Sequence, residues 1–542
     1  MSQAHFIGID VGTGSARAGI FDAAGAMLAS AKSDIALYLD AGDFAEQSSE
    51  NIWQAVCTSV RQAMSSASLA PEDIAGIGFD ATCSLVALGK DGAPLPVGHH
   101  GDANRNIIVW MDHRAMDQAR RINAGGHPVL NYVGGTISPE METPKLLWLK
   151  ENLPETYRAA WQFFDLANYL TWRATGSLDR SVCTVTCKWT YLAHEQRWDE
   201  SYFRAIGLDD LADDEFARIG TTIVPAGQRL ADGLTTAAAR DLGLMPGTPV
   251  AAGLIDAHAG GVGSVGASGG GGSATTRMAY VFGTSACTMA SSVEPVFVPG
   301  VWGPYYSAMV PGLWLSEGGQ SSAGAAIDQI LALHPAAAEA RETAKTRQMS
   351  LPTLLADIAV DRAGSNASAA KLAGNLLVVP DFLGNRSPHA DPDARAVIAG
   401  LGMERDLDSL VALYVAGVLG IGYGLRQIIE ASRANGITVE TVALSGGAGL
   451  HPLVRQLLAD CAGLPVATSR QPEPVLLGSA MLGATAAGAF PDLQAAMRAM
   501  SSSGETFAPE PDLAGFHSRR FAAFEALQSA ARTTRDIING EK

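Results

Sequence analysis

Near its N-terminus the chain contains two apolar runs joined by a glycine-rich turn, FIGIDVGTGSARAGIFDAAG at residues 6–25. Apolar runs on either side of so short a turn predict a β-hairpin. A second stretch of the same pattern, MAYVFGTSACTMASS, begins at Met278, and its turn also contains glycine, threonine and serine. Because the two stretches lie about half a chain length apart, they predict a duplicated architecture with one hairpin in each half.

The rest of the chain alternates between predicted strands and predicted helices, which indicates an α/β protein. The expected elements are helices over 47–66, 323–333 and 407–432, a strand over 74–79, and a strand-turn-helix unit over 441–461.

A chain of 542 residues is too long for one compact core, so two domains are expected. The stretch 260–276 is rich in glycine and serine, which is the composition of a flexible connection, and the predicted boundary lies near its start. The prediction is an N-terminal domain over 1–262, a C-terminal domain over 263–490 and a helical tail over 491–542.

The formal net charge of −17 argues against a nucleic-acid or anionic-membrane partner, because a phosphate surface would repel the chain. The longest apolar stretch, 411–425, is too short to cross a bilayer, and no targeting segment is recognisable. The six cysteines are scattered, which favours free buried thiols over a disulfide framework. These features predict a cytoplasmic enzyme that holds an anionic ligand with backbone amides and a metal ion.

The first turn, GTGSAR at 12–17, differs from a dinucleotide-binding fingerprint, because Arg17 replaces the third glycine and a strand follows instead of a helix. It fits a hairpin whose turn amides and hydroxyls face a phosphate. The candidate nucleotide-binding residues here are Gly12, Thr13, Gly14, Ser15 and Arg17. Asp10, at the end of the preceding strand, is a candidate ligand of hydrated Mg²⁺. An ordinary hairpin without a ligand is the alternative.

The second turn, at 283–285, repeats this device in the other half, so two hairpins would clamp a polyphosphate across a cleft. The stretch LSGGAGL at 444–450 ends a strand before a helix, where glycines let the backbone approach a ligand and a helix N-terminus favours negative charge. A tight turn without a ligand is the alternative. The nucleotide-binding candidates of these two stretches are Gly283, Thr284, Ser285, Gly446, Gly447 and Ala448.

Asp256 follows an apolar strand and precedes what its neighbours predict to be a glycine-rich turn, in AAGLIDAHAGGVG. A carboxylate in this position can face the cleft and serve as a general base toward an alcohol. A helix N-cap is an equally good interpretation of an aspartate here. His258 is expected to be a packing residue and not a base.

The segments DVGTGSARAGIFD, GLIDAHAG, FGTSAC and LSGGAG, in this order, resemble those of the FGGY carbohydrate kinases over about residues 6–490. The resemblance implies an actin-like, ribonuclease-H-like fold of two domains, with ATP and a sugar meeting in the cleft between them. It further implies that Asp10 and Asp256 serve the Mg²⁺ ion, that the two turns bracket the ATP phosphates, and that Asp256 is the catalytic base.

Shorter segments resemble the ribulokinase branch of that family: TCSLV at 82–86, VWMDHRA at 109–115, CKWT at 187–190 and EGGQSSAG at 317–324. They imply phosphorylation of D-ribulose to D-ribulose 5-phosphate. The implied sugar-binding residues are Thr82, Cys83, Ser84, Trp110, Asp112, Arg114, Lys188, Asp256 and Glu317. Gln320 is assigned to the nucleotide, and Asn385 and Arg386 to the mouth of the site.

Each of these assignments has a plainer alternative. Asp112 and Arg114 could form a surface ion pair, Lys188 could be a solvated strand residue, and Glu317 could cap the following helix. The rival functions are a kinase for L-ribulose, xylulose, a pentitol or glycerol, and, from another class, an actin- or chaperone-like ATPase. Homodimers are common in the family, and no interface is recognisable in the sequence.

Overall fold

The structure is a computed structural model that describes residues 4–40, 44–269 and 271–540. In these ranges the strands, in chain order, are β1 His5–Val11, β2 Ser15–Asp22, β3 Met27–Asp34, β4 Tyr38–Asp40, β5 Phe44–Gln47, β6 Ile74–Ala81, β7 Leu85–Leu88, β8 Ile107–Ile108, β9 Gln162–Asp165, β10 Arg180–Ser181, β11 Ile223–Val224, β12 Leu254–Ile255, β13 Arg277–Phe282, β14 Ala286–Ser292, β15 Trp302–Tyr306, β16 Trp314–Gln320, β17 Leu377–Val379, β18 Val397–Ala399, β19 Thr441–Ser445, β20 Val466–Ser469 and β21 Ser503–Phe507.

The α-helices of the same ranges, in chain order, are α1 Ser49–Ala67, α2 Met116–Ala124, α3 Glu142–Asn152, α4 Pro154–Ala159, α5 Leu166–Thr175, α6 Val182–Lys188, α7 Glu200–Ala205, α8 Asp209–Asp213, α9 Thr236–Leu242, α10 Asp256–Val265, α11 Gly324–Ala332, α12 Ala337–Thr346, α13 Leu351–Ala363, α14 Leu407–Ala434, α15 Pro452–Ala462, α16 Pro474–Ala486, α17 Leu493–Met500 and α18 Ala514–Asn539. The elements predicted from the sequence all occur, with bounds that differ by at most two residues.

The two halves are built around sheets of the same topology. The first sheet has the order β3-β2-β1-β6-β12, and the second contains the matching series β16-β14-β13-β19-β20. In both, the first three strands of the series are antiparallel and the next two continue in parallel. The duplication predicted from the two hairpins is therefore confirmed, and equivalent strands form them.

Both hairpin turns are closed by a glycine amide, although the first closure spans one residue more than the second. The first spans 12–14, where the Gly12 amide donates to the Ser15 carbonyl at 3.0 Å. The second spans 283–285, where the Gly283 amide donates to the Ser285 carbonyl at 2.9 Å. Because each turn follows the central strand of its sheet, both present their backbone at the same edge of their domain.

Two helices join the halves at very short range. Helix α10, which follows β12 of the first sheet, packs along α16, which belongs to the second half of the chain. A Cβ atom on Gly478 of α16 would lie 1.9 Å from the carbonyl oxygen of Ala259 in α10, and one on Gly263 would lie 2.0 Å from that of Pro474. Only glycine permits this contact between backbones.

The prediction of a flexible connection over 260–276 is wrong for its first part. Residues 260–265 are the second half of α10 and are buried, although they include Gly260, Gly261 and Gly263. These glycines serve close packing: a Cβ on Gly261 would lie 2.3 Å from the sulfur of Met309. Glycine and serine are typical of linkers but also of tight contacts between helices, so composition alone does not distinguish the two. The predicted boundary after residue 262 falls inside this helix.

Helix α14, of 28 residues, is longer than the apolar stretch identified in the sequence, and it is long and apolar enough to cross a membrane. Its most apolar window is nevertheless 78% buried inside the protein, which is typical of a core helix. Helix α18 completes the chain and packs beside β17 and α14.

The contact between α10 and α16 can be tested by adding one methyl group. Gly478→Ala should lower the free energy of unfolding by about 1–3 kcal/mol, because the added Cβ forces two backbones apart. Gly515→Ala, in an exposed turn of α18 where the nearest atom is the flexible end of Arg519 at 3.5 Å, is the matched control and should be neutral or slightly stabilising. Denaturant unfolding measures both, and equal stability of the two variants would contradict the account.

Candidate active site

A cavity of about 320 Å³ lies between the two hairpins and is lined by both halves of the chain. It gathers most of the residues predicted from the sequence. Those that line it are Asp10, Gly12, Thr13, Arg17, Thr82, Cys83, Trp110, Lys188, Asp256, Gly283, Thr284, Ser285, Glu317 and Arg386. Segments that are far apart in sequence thus converge on one space.

Acidic side chains form one wall of the cavity. Asp10 and Asp80 are neighbours in register on the parallel strands β1 and β6, and Asp256 begins α10 directly after β12. Burial and the negative charges of Asp10 and Asp256 raise the pKa of Asp80 well above its usual value. Oδ1 of Asp80 is buried without a hydrogen-bond partner, while Oδ2 accepts a hydrogen bond from the Ser479 hydroxyl.

Arg17 bridges this wall to the second half of the chain. Its guanidinium donates through Nε to Oδ2 of Asp10 at 2.7 Å and through Nη1 to Glu473 at 2.6 Å. Glu473 directly precedes α16. The predicted phosphate-contacting arginine is therefore already paired with two carboxylates, one of which is the candidate metal ligand.

Asp256 is half-buried in the floor of the cavity. It stands at the first position of α10, where Oδ1 accepts a hydrogen bond from the Ala257 amide at 2.7 Å. Burial and the nearby charge of Asp10 raise its pKa to about 6. The segment after Asp256 is this helix and not the predicted glycine-rich turn. The N-cap of α10 is Ile255, so the N-cap interpretation of Asp256 is wrong, and its carboxylate lines the cavity.

The opposite wall carries basic groups around one buried carboxylate. Glu317, on β16, accepts a hydrogen bond from Arg386 at 3.2 Å through Oε1, and its Oε2 lies 3.3 Å from Nε2 of His258. Burial alone would raise the pKa of Glu317, but the charges of Lys188, His258 and Arg386 hold it far below its usual value. Glu317 is consequently an anion at neutral pH, and it does not cap a helix.

Lys188 is buried at the end of α6 and is not the solvated strand residue of the alternative interpretation. Its ammonium lies 4.6 Å from the ring centre of Trp302, and the guanidinium of Arg386 lies 4.3 Å from the same ring. Trp302 therefore supports both cations through its π-face.

His258 is a packing residue, as expected, but a charged one. Its Nδ1 lies 3.0 Å from the sulfur of Cys183, opposite the contact with Glu317. Burial alone would lower the pKa of His258, whereas Cys183 and Glu317 raise it to about 10. The imidazolium links helix α6 to the cavity wall, and Cys187 completes a buried group of three donor atoms that lie within 4.8 Å of one another.

A hydroxyl network connects the third predicted segment to the first turn. The Thr82 and Ser84 hydroxyls are 3.1 Å apart, and Ser84 Oγ accepts from the Trp110 amide at 3.1 Å. Trp110 in turn donates from its indole to Thr13 Oγ1 at 3.0 Å. Ser84 does not line the cavity but positions two residues that do. Burial raises the pKa of the Cys83 thiol, so this cysteine lines the cavity as a neutral thiol and not as a nucleophile.

Asp112 and Arg114 do not line the cavity. The alternative interpretation is an ion pair at the surface. The two residues do form an ion pair, but both side chains are fully buried. Arg114 also binds Glu46 at 2.9 Å, and Asp112 accepts from the Ala45 amide at 2.7 Å. The sequence pattern located the segment but not the partners, because Glu46 precedes Arg114 by 68 residues and reaches it only through the pairing of β5 with β8.

A second cavity, of about 300 Å³, lies on the other side of the 283–285 turn and contains two of the predicted nucleotide residues, Gly447 and Ala448. Phe282 and Gly324 separate it from the first cavity, and the Gly324 amide donates to the Gly283 carbonyl at 3.0 Å. Gly446 has a φ of 95° and packs on Phe282, where a Cβ would lie 2.4 Å from the carbonyl oxygen. Gly446 therefore shapes this cavity without lining it.

Three other predicted nucleotide residues line neither cavity. Gly14 and Ser15 take part in the turn through their carbonyls, which accept from Ile35 and Gly12. Gln320 is held inside the second half, because it accepts from the Tyr280 hydroxyl at 2.6 Å and donates to the Ile421 carbonyl at 3.1 Å.

Several residues of the site were missed. Asp80 was recognisable, since it ends a strand in the same way as Asp10 and the two strands were both predicted. Glu140 lines the cavity but comes from a loop without a motif. Glu473 and Trp302 gave no local signal, because their role depends on pairing with Arg17 and with two cations that lie far away in sequence.

Comparisons with known proteins agree with this arrangement. The model of the N-terminal domain of the FGGY family of carbohydrate kinases matches residues 5–263, and the model of the C-terminal domain of that family matches residues 278–487. An FGGY carbohydrate kinase domain-containing protein of Homo sapiens is 45% identical, over 99% of this chain and 98% of its own length. A D-ribulokinase of Saccharomyces cerevisiae is 39% identical, over 90% of this chain and 72% of its own length.

Solved structures show the fold. A xylulose kinase from Rhodospirillum rubrum aligns with a TM-score of 0.79 at 21% identity, over 98% of this chain and 99% of its own. A glycerol kinase of Plasmodium falciparum with ADP aligns with a TM-score of 0.77 at 15% identity, over 97% and 98% of the two chains. The predicted two-domain α/β kinase fold is therefore confirmed.

Proposed function

Because this chain belongs to the FGGY family of carbohydrate kinases, we propose that its sugar substrate is D-ribulose, which it phosphorylates to D-ribulose 5-phosphate with ATP. The D-ribulokinase of yeast is 39% identical to this chain, while bacterial ribulokinases such as that of Bacillus licheniformis are 28% identical. This supports a pentose kinase in general and favours the D-ribulose branch.

One observation carries the proposal: acidic and basic side chains line one cavity that both hairpins border. A ketopentose requires several donors and acceptors, because a site built to pair hydroxyls rejects analogues that lack them. Three residues that line the cavity supply these donors and acceptors: Thr82, Lys188 and Glu317. The turn amides supply donors for a polyphosphate between the hairpins.

ATP would extend across both cavities. Its phosphates fit between the 12–14 and 283–285 turns. Its adenosine fits the second cavity, where the small residues Gly447 and Ala448 leave room for the planar adenine ring. Because the 283–285 turn lies between the two cavities, an adenosine in the second cavity would place the γ-phosphate in the first, which Asp256 lines. Closure of the two halves would exclude water and limit hydrolysis of ATP.

Asp256 serves as the general base in this mechanism. Its carboxylate takes the proton from the terminal hydroxyl of the sugar as that oxygen forms a bond to the γ-phosphorus, and the bond from phosphorus to the β,γ-bridging oxygen breaks to release ADP. Glu317 and Lys188 orient the sugar. A pKa of about 6 keeps Asp256 ionised at neutral pH and still basic enough to accept a proton.

The acidic wall suits a magnesium ion. Carboxylates of Asp10, Asp80 and Asp256 lie together, and one oxygen of Asp80 is buried without a partner, which is the donor set that Mg²⁺ prefers. Asp10 and Asp256 are the residues that would hold it, with Asp80 behind them. When bound, the ion would neutralise the phosphate charge.

The function is tested by coupled ADP release with Mg-ATP and a panel of D-ribulose, L-ribulose, D-xylulose, ribitol, arabinitol and glycerol. We expect the highest kcat/KM with D-ribulose. Preference for another polyol would refute the substrate while leaving a sugar kinase. ADP release that no polyol stimulates would instead favour an ATPase of the actin or chaperone class.

Asp256→Asn should lower kcat by ~10²-fold or more, because the amide cannot accept the proton, while the affinity for ATP stays largely unchanged. Asp165→Asn is the matched control: Asp165 is also a buried aspartate at a helix start, but it caps α5 outside the cavity. Asparagine caps helices as well as aspartate does, so this variant should keep its turnover. Near-normal turnover of Asp256→Asn would show that the base is misassigned.

Asp10→Ala should raise the Mg²⁺ concentration that gives half-maximal activity, because one carboxylate ligand is lost. Titration of activity with Mg²⁺ at saturating ATP measures this. Asp34→Ala removes an exposed aspartate from the same sheet and should leave the titration unchanged. An identical Mg²⁺ dependence in Asp10→Ala and the wild type would refute the role of Asp10.

A further inference from the structure

Helix α18 lies beyond residues 278–487, which the C-terminal family domain covers, and its sequence suggested no chemistry. It nevertheless binds the loop that delivers Arg386 to the active site. The loop of residues 381–391 follows β17, and its part from Asn385 to Asp391 is closed, because the amides and carbonyls of these two residues exchange two hydrogen bonds of 2.8 Å. Arg386 therefore extends from a closed loop whose position depends on what holds it from behind.

Gln528 of α18 holds the loop at one point. This side chain is 4% exposed and bonds to two loop residues: its Nε2 donates to Asp381 at 3.0 Å, and its Oε1 lies 2.9 Å from Nε2 of His389. Asp381 and His389 in turn bind Asn385, the neighbour of Arg386, at 3.2 and 3.1 Å. A buried glutamine with all these partners fixes the loop on both sides of Arg386.

Arg535 holds the loop at a second point, two helical turns further along α18. Its Nη1 donates to both carboxylate oxygens of Asp391, at 2.8 and 2.9 Å. Asp391 is the residue that closes the loop against Asn385. This charge-assisted contact therefore stabilises the closed form of the loop, because it holds the residue that closes it.

The front of the loop enters the cavity. Arg386 donates to Glu317 at 3.2 Å and lies over Trp302, so it determines where the buried carboxylate of the basic wall points. The chain of contacts thus runs from α18 through the loop to Glu317 without interruption.

We propose that α18 is a positioning element of the active site, in which Gln528 and Arg535 hold Arg386 against Glu317 and thereby set the affinity for the sugar. The effect on sugar affinity rests on the proposed function, in which Glu317 orients the sugar. The two residues do not touch the substrate and act through Arg386 alone.

Steady-state kinetics of the full chain tests the proposal. Arg535→Ala should raise the KM for the sugar about 3- to 10-fold, with little change in kcat or in the KM for ATP, because ground-state binding is weakened and the chemical step is not. Gln528→Leu should act in the same direction, and Arg535→Lys should restore part of the affinity. Arg520→Ala is the matched control, since Arg520 also anchors α18 but binds the carbonyls of Gly374 and Leu376 outside the loop.

A double-mutant cycle separates positioning from a general loss of stability. Arg386→Ala alone should raise the sugar KM, and adding Arg535→Ala to it should have no further effect, because both changes interrupt one chain of contacts. Effects that multiply, or a sugar KM that rises equally in Arg520→Ala, would overturn the proposal.

Hydrogen exchange provides a readout that needs no substrate. Amides of residues 381–391 should exchange faster in Arg535→Ala than in the wild type or in Arg520→Ala. Faster exchange with an unchanged sugar KM would overturn the proposed effect on the site but leave the kinase function intact. A wild-type protein that phosphorylates no sugar would overturn the proposed function and with it the claim about affinity, whereas the exchange result would still show whether α18 orders the loop.

Discussion

The active site depends on the contact between the backbones of α10 and α16. Because glycines at 263 and 478 let the two helices approach without intervening side chains, their relative position is fixed, with Gly478 against Ala259 and Gly263 against Pro474. α10 begins with Asp256, and Glu473 directly precedes α16 and binds Arg17. α16 also lies on the first sheet, where a Cβ on Gly8 would meet its backbone at 1.9 Å. One packing contact thus holds the helix that begins with the candidate base against the helix that follows Glu473, the partner of Arg17.

The second organising feature is the separation of charge across the cavity. Burial and the charges of neighbouring carboxylates raise the pKa values of Asp80 and Asp256, and this wall is receptive to a cation. On the opposite wall the cations outnumber the acid, and Glu317 stays ionised. In the proposed function, a polyanionic nucleotide requires a bound cation, which the acidic wall would hold. A neutral polyol requires hydrogen-bonding groups, which the basic wall would provide.

The sequence predicted both hairpins, the neighbouring strands β6 and β19 and most of the residues that line the cavity, because turn glycines and strand-end acids are local signals. It failed where a role depends on distant partners. Asp112 and Arg114 were assigned to the sugar, but Glu46 from another strand draws them into a buried cluster. The glycines of 260–265 suggest a linker by composition alone. The helix that they contact, α16, is far away in sequence, so no local pattern indicates their role in packing. Gln528 and Arg535 carried no motif at all.

A crystal structure with a non-hydrolysable ATP analogue and Mg²⁺ would test the central claim most directly. The account predicts that the phosphates lie between the 12–14 and 283–285 turns, that the adenine occupies the cavity beside Gly447, and that the γ-phosphate faces Asp256. A nucleotide bound elsewhere, or a γ-phosphate directed away from Asp256, would contradict the claim that the α10–α16 contact builds the catalytic site.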